Sequence, residues 1–212
     1  MIRGLVFDLD GTLVDSLGDI GAAMNWALAS LGWPTHPLAA YRQFVGEGVE
    51  VLAHKAAPPG SDGRRVELIA AYQRRYAEHL FDATVPYPGV PEVIAELARR
   101  QVPLAVLSNK PDAPTKRIVE ALFPPVFVAV QGQRPEVPAK PHPGAALALA
   151  AQLGAPPAEV AFVGDTSVDM RTAVAAGMVA VGVAWGFRPL ELRAEGARVV
   201  VERADELLTL LD

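Results

Sequence analysis

The chain has 212 residues, 51% of them hydrophobic, a net charge of −5 and no cysteine. That length holds one large domain or two modest ones with an ample core. The missing thiols exclude cysteine nucleophiles, disulfides and cysteine-based zinc sites. The acidic balance argues against a general nucleic-acid binder, and no apolar run is long enough to cross a membrane.

Residues 2–7 are mostly apolar and read as a buried strand of a parallel sheet. Met1-Ile2-Arg3 enters it directly, which leaves no room for a signal peptide, so a cytoplasmic location is expected. The strand ends in Asp8-Leu9-Asp10-Gly11-Thr12. Alternate residues of a strand point the same way, so Asp8 and Asp10 can share one cation or one substrate. A calcium loop counted from Asp8 would want Gly and Glu where Leu13 and Asp19 stand. Ser16 is placed to cap a helix, with Asp19 completing a variant capping box. Leu17, Ile20, Met24, Leu28 and Leu31 follow with helical spacing, up to the stop at Gly32. A short helix is expected over 38–44, another over 49–57, and Gly46-Glu47-Gly48 separates them. An amphipathic helix over 65–80 uses Val66, Ile69, Tyr76 and Leu80. Residues 15–83 therefore read as helices without a strand.

From Tyr87-Pro88-Gly89 the pattern alternates. Strands are expected at 102–107, 126–130, 160–163, 179–183 and 198–201, with helices at 90–99, 113–122, 143–153 and 167–176 and a last helix at the end. Such alternation means a parallel sheet covered on both faces. The expected fold is α/β: a Rossmann-like parallel-sheet core, residues 1–14 plus 84–212, with an inserted α-helical cap domain, residues 15–83.

Three further pieces accompany the opening acids. Ser108-Asn109-Lys110 follows a strand, with donors suited to an anion near a helix start. Lys140-Pro141-His142-Pro143 offers a lysine, a compact charge suited to phosphate, in a chain where only four of 19 basic residues are lysine. Gly164-Asp165-Thr166-Ser167-Val168-Asp169 places two acids one helical turn apart after another strand. Taken singly, each has a bland explanation: a surface turn, a helix cap by Asp165 or Thr166, a solvated lysine. His36, His54, His79 and His142 are scattered and form no zinc pattern.

Together, in this order, the four pieces resemble the motifs of haloacid dehalogenase-superfamily phosphatases over nearly the whole chain. Asp8-Leu9-Asp10-Gly11-Thr12-Leu13-Val14-Asp15-Ser16, Phe44-Val45-Gly46-Glu47-Gly48, Ser108-Asn109-Lys110-Pro111 and Lys140-Pro141-His142-Pro143 further resemble the phosphoglycolate phosphatases. The resemblance implies a phosphomonoester hydrolase in which Asp8 is the nucleophile and forms an aspartyl-phosphate. Asp10 is then the acid and base. Mg²⁺ is held by Asp8, the backbone carbonyl of Asp10 and Asp165. Ser108, Asn109 and Lys140 hold the phosphoryl oxygens. Asp169 orients Lys140 or a metal-bound water, and Thr12 supports the first motif. The partner is a small phosphorylated metabolite, and the protein a monomer or homodimer. Gly46, Glu47 and Gly48 are the candidates for substrate selection, with Arg42 and Lys55 as possible counter-charges and the charge of Glu47 as an objection. Rival readings are a sugar-phosphate mutase, another phosphatase of the superfamily, or a non-catalytic phosphate-binding protein. A dehalogenase fits poorly with Asp10, and a phosphonate hydrolase would need Lys55 as its cap amine. The cap hinge is expected at 16–19 and 83–88.

Overall fold

The computed structural model describes residues 1–211; Asp212, the end of the expected core, lies outside them. Six parallel strands form the main sheet: β1 (Gly4–Phe7), β4 (Leu104–Pro111), β5 (Phe127–Gln133), β6 (Val160–Gly164), β7 (Val179–Val183) and β8 (Val199–Val201), in the order β5-β4-β1-β6-β7-β8. Side chains alternate between the two faces of such a sheet. Leu5, Phe7, Val106 and Val163 pack on one face against helices α5 (Val90–Arg99) and α6 (Asp112–Leu122). Val6, Ala105, Leu107 and Phe162 pack on the other against α7 (Gly144–Leu153) and α8 (Ser167–Ala175). Strands buried on both faces need apolar residues at every position, which is why these runs do not alternate with polar ones. Each fully buried valine, leucine or phenylalanine side chain contributes about 1.5–3 kcal/mol.

The central strand is β1, flanked by β4 and β6. The chain builds one side of the sheet through β5 and then crosses to the other at β6. The carboxyl ends of β1, β4 and β6 therefore border a topological switch point, where open α/β sheets bind ligands.

A short antiparallel ribbon, β2 (Val14–Asp15) with β3 (Val85–Pro86), carries the chain out of the sheet and back. The sequence pattern gave no hint of it, because two-residue strands carry no periodicity. Between its strands lie α1 (Leu17–Ser30), α2 (Tyr41–Phe44), α3 (Val49–Ala56) and α4 (Arg65–Glu78). Their apolar faces, including Met24, Leu52, Leu68 and Tyr72, join the same core cluster as the α5 face of the sheet. Val66, expected on the buried face of α4, is 81% exposed; Leu68, Ile69, Tyr72 and Tyr76 form that face instead.

Three other expectations are corrected. Ser16 makes no capping bond to α1; its hydroxyl donates to Asp10. Asp19 does not close a capping box either. It reaches the returning linker and accepts from the amides of Ala83 and Thr84, both at 2.8 Å, and from the Thr84 hydroxyl at 2.6 Å. β4 runs on to Pro111, so Ser108, Asn109 and Lys110 lie on the strand itself and not at a helix start. The C-terminal element, Ala204–Leu211, is a 3₁₀ helix.

Asp19 is buried, and its three bonds fasten the two linker strands together beside the ribbon. Asp19→Ala leaves three donors without their acceptor. The expected cost is about 2–4 kcal/mol, a large share of an ordinary domain's stability. Urea denaturation checks it; an unchanged midpoint would show that water replaces the carboxylate at no cost.

Candidate active site

Four strand-end or loop segments bring their polar side chains to the carboxyl edge of the sheet. Asp8 leaves β1 and is buried. Its Oδ1 accepts from the Leu9 amide at 2.7 Å and faces the Lys140 ammonium at 2.9 Å. Its Oδ2 has no protein partner among the described residues. Lys140 also donates to Asp169 Oδ1 at 2.7 Å and lies 5.5 Å from the Phe162 ring centre. Asp169 sits in the first turn of α8. Its Oδ2 accepts from both the amide and the hydroxyl of Thr166, closing a capping box. One Asp169 side chain thus contacts both Lys140 and the N-cap residue of α8.

Asp165, at the end of β6, completes a cluster in which carboxylate oxygens of Asp8, Asp165 and Asp169 lie within 4.8 Å of one another. Thr12 Oγ1 donates to its Oδ1 at 3.1 Å and the Phe187 amide to its Oδ2 at 2.7 Å. Backbone closes around it so tightly that a Cβ at Gly11 or at Gly186 would stand 2.2 Å from Asp165 atoms. Gly11 also has φ +83°, a conformation side chains resist.

The electrostatics follow from burial. Burial pushes the Asp8 carboxyl up, to about 7, against the pull of Lys140. Burial, then Asp169 and Asp8, hold the Asp165 carboxyl well above the usual carboxylate range. Burial alone would lower the Lys140 ammonium, but Asp169 and Asp8 outweigh it and raise it above its ordinary value. Three buried carboxyls thus share one ammonium. A divalent cation would make up the deficit, and an all-oxygen donor set suits Mg²⁺. The side chain of Asp10 stands outside this cluster.

Asp10 Oδ1 accepts from Ser16 Oγ and from Lys110 Nζ, the latter at 2.8 Å. Its Oδ2 has no protein partner among the described residues. Lys110 donates equally to the Tyr76 hydroxyl at 2.8 Å. Ser108 Oγ accepts from the Lys110 amide at 3.2 Å, and its own proton has no protein acceptor among the described residues. Asn109 is a clasp: its amide group donates to the carbonyls of Lys140 and Gly46, and its oxygen accepts from the Lys140 amide. Sequence reasoning gave Lys110 no role. The scarcity of lysine in this chain was the one signal available.

A cavity of about 270 Å³ opens between these residues and the helical segment. Asp8, Asp10, Ser108 and Lys110 stand at the core side; Val45, Leu52, Tyr72 and Tyr76 supply apolar wall from the helices. Gly46 and Gly48 line it, whereas Glu47 turns to Lys55, which holds its carboxyl below the usual range. The objection raised by the charge of Glu47 falls away. Lys55 is occupied by Glu47 and the Gln43 carbonyl, and Arg42 reaches the Gly186 carbonyl, so neither is a counter-charge in the cavity. His142 is an exposed loop residue that accepts from the Gly144 amide. The loop of Trp185, Gly186 and Phe187 was not anticipated. Its amide to Asp165 and its indole bond to the Thr12 carbonyl at 3.1 Å tie the Asp8–Thr12 segment to the Gly164–Asp169 segment.

Residues 2–177 match the model of the haloacid dehalogenase-like hydrolases, and the chain belongs to that family. Phosphoglycolate phosphatase of Pseudomonas putida is 34% identical over 99% of this chain and 78% of its own length. That of Chromobacterium violaceum is 33% identical over 99% and 96%. A crystal structure described as a predicted phosphoglycolate phosphatase, from Haemophilus somnus, superposes with a TM-score of 0.93 at 26% identity, covering 100% of this chain and 98% of the other. Within the family the chain is a phosphatase, a hydrolase of phosphoric monoesters.

Proposed function

We propose that the chain is a Mg²⁺-dependent phosphoglycolate phosphatase that converts 2-phosphoglycolate to glycolate and phosphate through a phosphorylated Asp8. The observation that carries the mechanism is that Asp8, pinned through Oδ1 with no protein partner for Oδ2 among the described residues, lines the same cavity as Asp10. Asp8 Oδ2 attacks phosphorus, and the ester oxygen leaves with its electron pair and takes a proton from Asp10. Asp10 then accepts a proton from the water that attacks the aspartyl-phosphate, freeing phosphate and restoring Asp8. Ser108 and Lys140 meet the phosphoryl oxygens, and Asn109 positions Lys140. Asp8 and Asp165, with the Asp10 backbone carbonyl, would hold the metal. When bound, Mg²⁺ supplies the positive charge that lets ionised carboxylates stand beside a phosphate dianion.

Residues 15–83 act as the cap. Here they are closed on the core through Asn109 to Gly46, Lys110 to Tyr76, Arg42 to Gly186 and Arg117 to Ala77. Closure excludes bulk water from the first step, and opening about the two linkers releases product. The substrate reading is supported by the named relatives and by a cavity that fits a small leaving group. A small phosphorylated metabolite in the cytoplasm is the partner this implies. No described helix is long and apolar enough to cross a membrane.

Phosphate release from 2-phosphoglycolate, sugar phosphates, nucleotides and pyrophosphate, with Mg²⁺ or EDTA, tests the proposal. Mg²⁺-dependent release with 2-phosphoglycolate preferred is the expected result. Preference for a different ester overturns the substrate; release undiminished in EDTA overturns the metal.

A further inference from the structure

The ammonium of Lys110 is buried at the cavity wall, yet only two of its three protons have a protein acceptor among the described residues, Asp10 Oδ1 and the Tyr76 hydroxyl. The third belongs to a group that lines the space next to Asp10. The other charged groups lining the cavity are Asp8, Asp10 and Arg117. Arg117 is exposed and bonded to the Ala77 carbonyl from the next element. Tyr76 holds Lys110 from α4 both by hydroxyl and by its ring face, 4.7 Å from the ammonium, and Tyr76 itself stacks on Tyr72. Flexible lysine is thereby given a fixed position on a substrate-facing wall, at a distance set by its bond to the catalytic acid.

That position has a chemical meaning. Asp10 must meet the ester oxygen of the leaving group. In 2-phosphoglycolate one methylene separates that oxygen from the carboxylate. A cation able to meet the carboxylate must therefore stand directly beside the acid, and Lys110 Nζ is 2.8 Å from Asp10 Oδ1. We infer that Lys110 is the residue that recognises the carboxylate of the leaving group, selecting esters whose alcohol carries an anion close to the ester oxygen. This rests on the phosphoglycolate reading and deepens it. The ammonium then exchanges part of its contact with Asp10 for the substrate carboxylate, so anion binding and release of the acid are one movement. A neutral leaving group leaves Lys110 on Asp10.

The test compares 2-phosphoglycolate with ethyl phosphate, in which a methyl replaces the carboxylate, for wild type, Lys110→Met and Lys110→Gln. Glutamine keeps a donor for Asp10 and Tyr76 while removing the charge, which guards against a methionine variant that fails to fold. In either variant kcat/KM for 2-phosphoglycolate is expected to fall on the order of 100-fold, mostly through KM, and that for ethyl phosphate by less than about tenfold. An equal fall for both esters, or no fall for 2-phosphoglycolate, overturns the inference. Failure of the substrate reading looks different: wild type then prefers another ester of the panel. The Lys110 inference stands if that ester has an anionic leaving group and loses its advantage in Lys110→Met. It falls if the preferred leaving group is neutral.

Discussion

Asp8→Asn is expected to lose turnover by about 10⁴-fold or more while folding at least as well as the parent chain. Asparagine has the same shape and keeps an oxygen for the Leu9 amide and for Lys140, so the packing at the end of β1 is undisturbed. What it loses is the anionic Oδ2, the atom that attacks phosphorus in the proposed mechanism. Stability should move the other way in metal-free buffer. The folded protein holds the Asp8 proton up to about 7, whereas an unfolded chain releases it near 4. The folded state binds the extra proton, so as pH rises from about 4 to about 7 the metal-free wild type loses stability through this group. Asp8→Asn has no such loss and gains on wild type above that window. Thermal melts in EDTA across pH, with phosphate release and a mass spectrum of the quenched enzyme for a phosphoryl adduct, decide it. Residual turnover in Asp8→Asn above the stated limit would remove Asp8 from the nucleophile's place.

Much of this site was legible in order along the chain, for a physical reason. A parallel sheet presents every strand's carboxyl end at one edge, so acids that stop apolar runs, as Asp8 and Asp165 do, must meet there. What could not be read is what linear spacing does not encode. Ser16 and Asp19 look like a capping pair because capping is local, but Ser16 turns to Asp10 and Asp19 reaches 65 positions along to Thr84. Trp185, Gly186 and Phe187 carry no charge and stop no strand pattern, yet an amide of that loop fixes Asp165. Lys110 sits in a motif whose serine and asparagine drew notice, and its partner Tyr76 lies on a helix that periodicity assigned simply to packing. Val66 was counted with the apolar spacing of α4 and is nonetheless exposed, because it lies well around the helix from the face that Leu68, Ile69, Tyr72 and Tyr76 share.

Lys140→Met should produce the second large effect, and it should strike stability as well as turnover. Wild-type Lys140 is the one ammonium within bonding reach of both Asp8 and Asp169 among the described residues. Methionine fills the space over Phe162 but leaves three clustered carboxyls without it. Breaking a buried pair by removing one partner costs about 3–5 kcal/mol, and for a chain of this length each kcal/mol lowers the melting point by about 2–4 °C. A fall of about 10 °C in EDTA is therefore expected. Turnover should fall with it, since in the proposed mechanism the phosphoryl oxygens lose their fixed cation. Mg²⁺ should raise the melting point of Lys140→Met more than that of wild type, because a ligand that binds only the folded state stabilises it in proportion to its occupancy and the variant's carboxyls have no competing counter-ion. The two substitutions also couple. Asp8→Asn removes one of the charges that Lys140→Met exposes, so the double variant should melt above Lys140→Met alone, a departure from additivity that contact between the two side chains predicts. Strict additivity, or a Lys140→Met protein that melts like wild type in EDTA, would mean that the carboxyls do not depend on this lysine for their charge balance, and the cluster would no longer support the proposal that the site holds a metal and a phosphate together.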